Sequence, residues 1–371
     1  MDGAIDGITY YVKPKFEKLG EIEVWKNAAV QIFYSLGLGF GSLITLSSYN
    51  KFDSNCYRDA LIVCFVNWCT SIFAGFTVFS ILGFMAKAAE QEIEDVVKSG
   101  PGLAFIVFPE AVTHIDISGV PQVMAFLFFT MLLTLGLDSM FTTVETVTTC
   151  MFDHFKQLAP YKPIVVVMTC TTFFMLGLSM CSSGGIYMFQ LLDNCSASWN
   201  ILLIALVELI LVSWGYGADN FLNNIKDMRM KLSQPMRLYW KICWKFITPT
   251  ILLSILVITF ARHEKLKTVN WTFKNEEDVY VWEDGVQALG WLISLGSVLI
   301  IPLVGIYQVC IRKSKGDPIN VWAMFRKTAE WKPSPDSVGL SQDNNVERKP
   351  SRRYSRISFR KNVPQNAEEL D

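Results

Sequence analysis

Seven stretches of this chain are each long and apolar enough to cross the hydrocarbon core of a bilayer, which takes about 20 residues of helix. They lie near residues 25–46, 60–84, 121–149, 163–181, 200–217, 242–261 and 286–311. No other feature restricts the fold as strongly. At mid-bilayer there is no water to satisfy a backbone N–H or C=O, so segments of this length have to be helical. With 51% hydrophobic residues, 26 Phe and 11 Trp among 371, the chain is expected to be an all-α multi-pass membrane protein. Its surroundings are membrane lipid; no nucleic-acid partner is expected.

Seven spans place the two termini on opposite sides. Most of the 33 Lys and Arg fall in 47–59, 150–162, 218–245 and the segment after 312, which makes those segments cytoplasmic. Residues 1–24 are then an extracellular loop, too polar for a cleavable signal peptide. Residues 25–311 form the spanning region, and 312–371 a cytoplasmic tail expected to be disordered from about 330. The sequon Asn270-Trp271-Thr272 falls outside, where glycosylation occurs. In the tail, "RRYSRIS" (352–358) sets basic residues ahead of Ser355 and Ser358, the pattern of a kinase substrate and equally of a plain solvated tail. The nine Cys show no metal-ligand spacing and read as small packing residues.

The first span contains a contradiction. "QIFYSLGLGFGS" (31–42) places Gly37, Gly39 and Gly41 in the middle of the block. A break there survives only where it lines a cavity or binds something. An unwound segment frees carbonyl oxygens and leaves two half-helix ends facing each other, a setting for a small zwitterion or anion beside a hard cation. Polar residues recur in neighbouring spans. Asn67 lies in "LIVCFVNWCTSIFAGF" with Ser71 one turn later on the same face. Asp138 and Ser139 lie in "FLFFTMLLTLGLDSMFTTVETVTTC", with Glu145 two turns on. An ionisable group at that depth is costly and points to function. Hydroxyl, amide and carboxylate oxygens, with no His or Cys among them, suit a hard cation such as sodium. On the residues alone, close glycine packing and interhelical hydrogen bonds without an ion stay open.

Several longer motifs carry a family resemblance. "AAVQIFYSLGLGFGSLITLSSYNKFDSNCYRDALIV" (28–63), "GPGLAFIVFPEA" (100–111) and "FFTMLLTLGLDS" (128–139) resemble the neurotransmitter:sodium symporter family. So do "SSGGIYMFQLLD" (182–193), "SWGYGADNFLNNI" (213–225) and "YWKICWKFITP" (239–249). The match is collinear with the sixth through twelfth of the family's twelve spans. The resemblance implies the second half of an inverted-repeat transporter fold with a broken sixth-type helix. It also implies a partial chain, in which the spans that supply the other half of each site have no counterpart.

The resemblance further implies roles. Ser35 and Asn67 are similar to ligands of one sodium ion; Leu135, through its carbonyl, with Asp138 and Ser139 resembles a second sodium site. Gln31, Ser35, Asn67 and Ser71 match chloride ligands, and donors without a nearby cation suit an anion. Tyr34, Ser35, Leu36, Gly37 and Phe40, with Met140 and Thr143, are expected at the substrate. Tyr34 replaces the commoner Phe at the aromatic lid and brings a hydroxyl to it. Glu208 matches an outer gate, and Tyr49 with Asp153 an inner gate. Thr143 is closer to amino-acid and GABA carriers than to monoamine carriers, which usually have a small residue there. The function implied is sodium- and chloride-coupled symport of a small amino acid or amine across the plasma membrane. The alternative is a non-transporting product that associates with full-length relatives. No nucleophile–base or metal constellation suggests an enzyme.

Overall fold

The computed structural model describes residues 3–88, 90, 92–93, 105, 108–113, 119–196, 198–228, 230, 232–261, 267–269 and 279–314. Asn270 and the tail after Ser314 lie outside them, as does most of the 100–111 motif. Among the described residues six helices are long and apolar enough to cross a membrane, and they overlap six of the seven expected spans. The remaining span is split, as the glycines require. It consists of α2 (Ile22–Ser35) and α3 (Ser42–Ser48), joined by an unwound segment.

After α1 (Ala4–Val12) and this broken pair come α4 (Cys56–Ala88), the short α5 (Phe108–Thr113) and α6 (Val120–His154). Then follow α7 (Lys162–Leu178), α8 (Gly185–Ser196), α9 (Trp199–Ile210) and α10 (Ala218–Asp227). The series ends with α11 (Gln234–Ile242), α12 (Thr248–Ala261) and α13 (Asp284–Ser314). Pro121, Pro163 and Pro235 stand in the first turns of α6, α7 and α11, where a missing N–H costs nothing. Between α12 and α13, β1 (Lys267–Val269) pairs antiparallel with β2 (Val279–Val281), Thr268 opposite Tyr280.

The buried core gathers α2, α9, α12 and α13. Phe33 meets Trp199, Ile201, Leu202 and Leu206 of α9 and Leu252, Ile255 and Leu256 of α12, with Trp291 of α13 packed alongside. By contrast α4, α6 and α7 are apolar around most of their circumference and leave Phe65, Phe73, Phe126 and Phe174 exposed. A helix apolar all round belongs in lipid or against further protein.

Two π-helical turns interrupt this core. Leu211–Gly217 separates α9 from α10, and Cys243–Ile247 separates α11 from α12. They face one another. The Trp214 indole N–H donates to the Lys245 carbonyl at 3.3 Å, and the Lys245 ammonium sits 5.2 Å over the Trp214 ring. Next to them Lys241 pairs with Asp219 at 2.6 Å.

The segment expected as a plain loop carries α1, which lies along the C-terminal half of α4. Tyr11 stacks on Phe79 at 4.9 Å and meets Phe76 edge-on at 5.3 Å. Glycines permit the approach: a Cβ at Gly83 would stand 2.5 Å from the Gly3 carbonyl oxygen and the Gly7 nitrogen, both rigid backbone atoms. A Gly83→Leu substitution should therefore undock α1 at the cost of an overpacked interface, about 1–3 kcal/mol. Tryptic cleavage after Lys15 and Lys18 should speed up by about tenfold; an unchanged rate would show that the seam does not hold α1.

Candidate ion and substrate site

The helical ladder of α2 runs out in three bonds: Leu36 N–H to Ile32, Gly37 N–H to Tyr34 and Leu38 N–H to Phe33. It restarts where Thr45 N–H reaches the Gly41 carbonyl at 3.0 Å. In between, Gly37, Gly39 and Gly41 have φ of 64°, 81° and 80°, a region costly for any residue with a Cβ. At Gly39 space is short as well, since an added Cβ would lie 2.9 Å from Ile201 Cγ2. The break is thus built into the backbone and pressed against the start of α9.

Ser35, at the last turn of α2, donates its hydroxyl to Asn67 Oδ1 of α4 at 3.0 Å. The structure so joins two of the residues expected at both the sodium and the chloride positions. Ser71 shares the Asn67 face and donates to the Asn67 carbonyl at 2.9 Å. Gln31 is exposed one turn before Ser35. The donor set is oxygen and amide only, chemistry that fits a hard cation or a hydrogen-bonded anion and offers nothing to a soft metal.

Leu135, Asp138 and Ser139 share one exposed face of α6. Ser139 bonds back to the Leu135 carbonyl at 3.3 Å, and Thr143 to the Ser139 carbonyl at 2.9 Å. These hydroxyls rest on their own helix. The Asp138 carboxylate has no hydrogen bond or ion pair among the described residues. Met140 is exposed beside it. On the broken span Tyr34 stands 6.5 Å from Phe40 between ring centroids, and Leu36 and Gly37 are half-buried.

Around the expected gate residues the structure shows further neighbours. Tyr49, just past α3, donates to the Glu145 carboxylate on α6, lies 3.2 Å from Thr149 Oγ1, and meets Lys162 of α7 through Glu145 at 3.6 Å. The Glu145 bond holds the Tyr49 phenol above its ordinary value, so it stays a neutral donor. Asp153 is exposed in the last turn of α6, two turns beyond Glu145. At the other end Glu208 is exposed on α9, and Asp193 is exposed on α8. Asp193 closes the motif "SSGGIYMFQLLD", which was the only signal of it in the sequence.

A profile described as the sodium:neurotransmitter symporter family matches residues 1–312. The Xenopus laevis protein named sodium- and chloride-dependent glycine transporter 2 is 45% identical over 311 residues, covering 83% of this chain and 37% of the relative. The Bos taurus sodium-dependent dopamine transporter is 42% identical, covering 84% of this chain and 43% of the relative. The Mus musculus sodium- and chloride-dependent neutral and basic amino acid transporter B(0+) is 40% identical over 337 residues, covering 90% and 51%. The chain spans about half, or less, of the length of these relatives.

Proposed function

Because the chain belongs to the sodium:neurotransmitter symporter family, a family of transporters and not of enzymes, we propose that it contributes the second half of a sodium- and chloride-coupled symporter for a small amino acid or amine. It does so as a multi-pass protein of the plasma membrane, with residues 1–24 outside and the tail after 312 in the cytoplasm. The observation that carries this reading is the Ser35–Asn67 contact at the mouth of the unwound segment. Two polar side chains at membrane depth, beside backbone that has given up its helix, form half a coordination shell.

In this reading Ser35 and Asn67 bind one sodium ion, and the Leu135 carbonyl, Asp138 and Ser139 a second. Gln31, Ser35, Asn67 and Ser71 hold chloride. The half-helix ends at Ser35 and Ser42 supply opposite partial charges for a zwitterionic or amine solute, and Tyr34, Leu36, Gly37, Phe40, Met140 and Thr143 shape its pocket. Access alternates as α2 and α3 move about the glycines, with Glu208 or Asp193 outside and Tyr49, Glu145 and Asp153 inside closing the path.

The test is a chimera in which residues 1–312 replace the segment they match in the Xenopus laevis glycine transporter 2. It should accumulate glycine, proline, GABA or dopamine only with sodium and chloride present. A chimera that reaches the surface and takes up none of them would sink the reading. Within it, Ser71→Glu should supply fixed negative charge and cut the chloride dependence of uptake about tenfold. Full chloride dependence retained in a folded, surface-exposed Ser71→Glu chimera would remove Ser71 from the anion site.

A further inference from the structure

The lid hydroxyl has a partner, and the partner is built. Tyr34 Oη donates to the carbonyl of Ser198 at 3.2 Å. Ser198 is the residue before α9, with φ −114° and ψ −129°, so its carbonyl is turned out of the helical direction. It is held there by Asn200, 1% exposed and saturated. Asn200 Oδ1 accepts the Ser198 N–H at 2.9 Å, while Nδ2 donates to the Ser196 carbonyl at 2.8 Å and to Ser297 Oγ of α13 at 3.0 Å. Ser297 in turn donates to the Ser294 carbonyl at 2.8 Å, and Ser294 to the Cys195 carbonyl at 2.5 Å. A side-chain amide has one acceptor oxygen and two donor hydrogens, and all three functions are used.

From this chain of contacts we infer that Tyr34, the Ser198 carbonyl and Asn200 form a latch that ties the unwound segment to α9 and α13. Asn200 is the positioning residue, because without it nothing fixes the corner that presents the acceptor. Tyr34 is the movable part. Its ring packs on Phe33 and Phe40 and against the buried core, so the hydroxyl can leave the Ser198 carbonyl while the ring keeps its place. Gly39 pressing on Ile201 is a second point of attachment of the segment to α9. The inference rests on the reading that this segment lines the solute path, for only then does its release set how readily the lid moves. A Phe at position 34 would leave that motion ungoverned.

Hydrogen–deuterium exchange on the purified chimera in detergent tests the latch without any transport measurement, so its failure leaves the symporter reading standing. Tyr34→Phe should raise exchange at the amides of Leu36 to Gly41 about fivefold, the equivalent of one net hydrogen bond. Exchange in α4 should not change. Asn200→Ala should give the same local increase, and the double variant no more than either single one, since both open one device. If Asn200→Ala loosens the whole molecule, Ser297→Ala, which removes one support of Asn200, replaces it in the cycle. Unchanged exchange in Tyr34→Phe, or effects of the two substitutions that simply add, would overturn the latch.

Discussion

Replacing Asp138 with Asn in the chimera is expected to abolish sodium-driven uptake, or to raise the sodium concentration for half-maximal uptake by about tenfold or more. Asn keeps the shape of the side chain and one carbonyl oxygen, and removes only the formal charge. In the proposed sodium site that charge is what the position supplies. A carboxylate near the centre of a membrane helix costs about 2.5–3.5 kcal/mol, and the α6 face around it offers Ser139 and Thr143 hydroxyls already spent on their own helix. A bound cation is the compensation that remains. Uptake is measured against sodium concentration with surface protein quantified in parallel. An unchanged sodium curve would exclude Asp138 from ion binding.

The second large effect concerns a polypeptide limited to these 371 residues. Expressed alone, it is expected to show no sodium-coupled uptake of glycine, proline, GABA or dopamine. Sodium wants a nearly complete oxygen shell. Here Ser35 and Asn67 spend a hydrogen bond on each other, and Asp138 faces outward. The backbone between Leu38 and Thr45 would stand open to hydrocarbon, which tolerates unpaired amides only where protein or water covers them. Such a polypeptide should be retained and degraded unless a full-length relative is co-expressed with it. Robust accumulation by surface protein of confirmed length would defeat this expectation.

What the sequence announced and what it hid follow from the range of each signal. Hydropathy located the long helices of the described residues, yet α4 runs from Cys56 to Ala88 against an apolar block of 60–84. Helices continue beyond the hydrocarbon, where apolarity no longer marks them. The three glycines of the first span foretold its break because backbone strain is local and residue-specific. The Ser35–Asn67 pair was reachable only through the family resemblance, as the two residues are 32 apart. Tyr34 and Ser198 are 164 apart, and a backbone acceptor has no signature at all. Glu145 was visible as an acid in an apolar block, but nothing local announced that Tyr49 and Lys162 would meet it. The π-helical turns escaped for a related reason, being shifts of one residue that leave composition untouched.

Those two turns have a consequence for how the sequence can change over time. Each holds one residue more than an α-helix needs, and one residue is about 100° of rotation. Deleting a residue from Leu211–Gly217 would straighten that helix and swing Asp219 away from Lys241; deleting one from Cys243–Ile247 would swing Lys241 away instead. The contacts of Trp214 with the Lys245 carbonyl and ammonium would be lost in either case. The two helices therefore form a matched pair of lengths. Descendants of this chain should lose or keep their extra residues together.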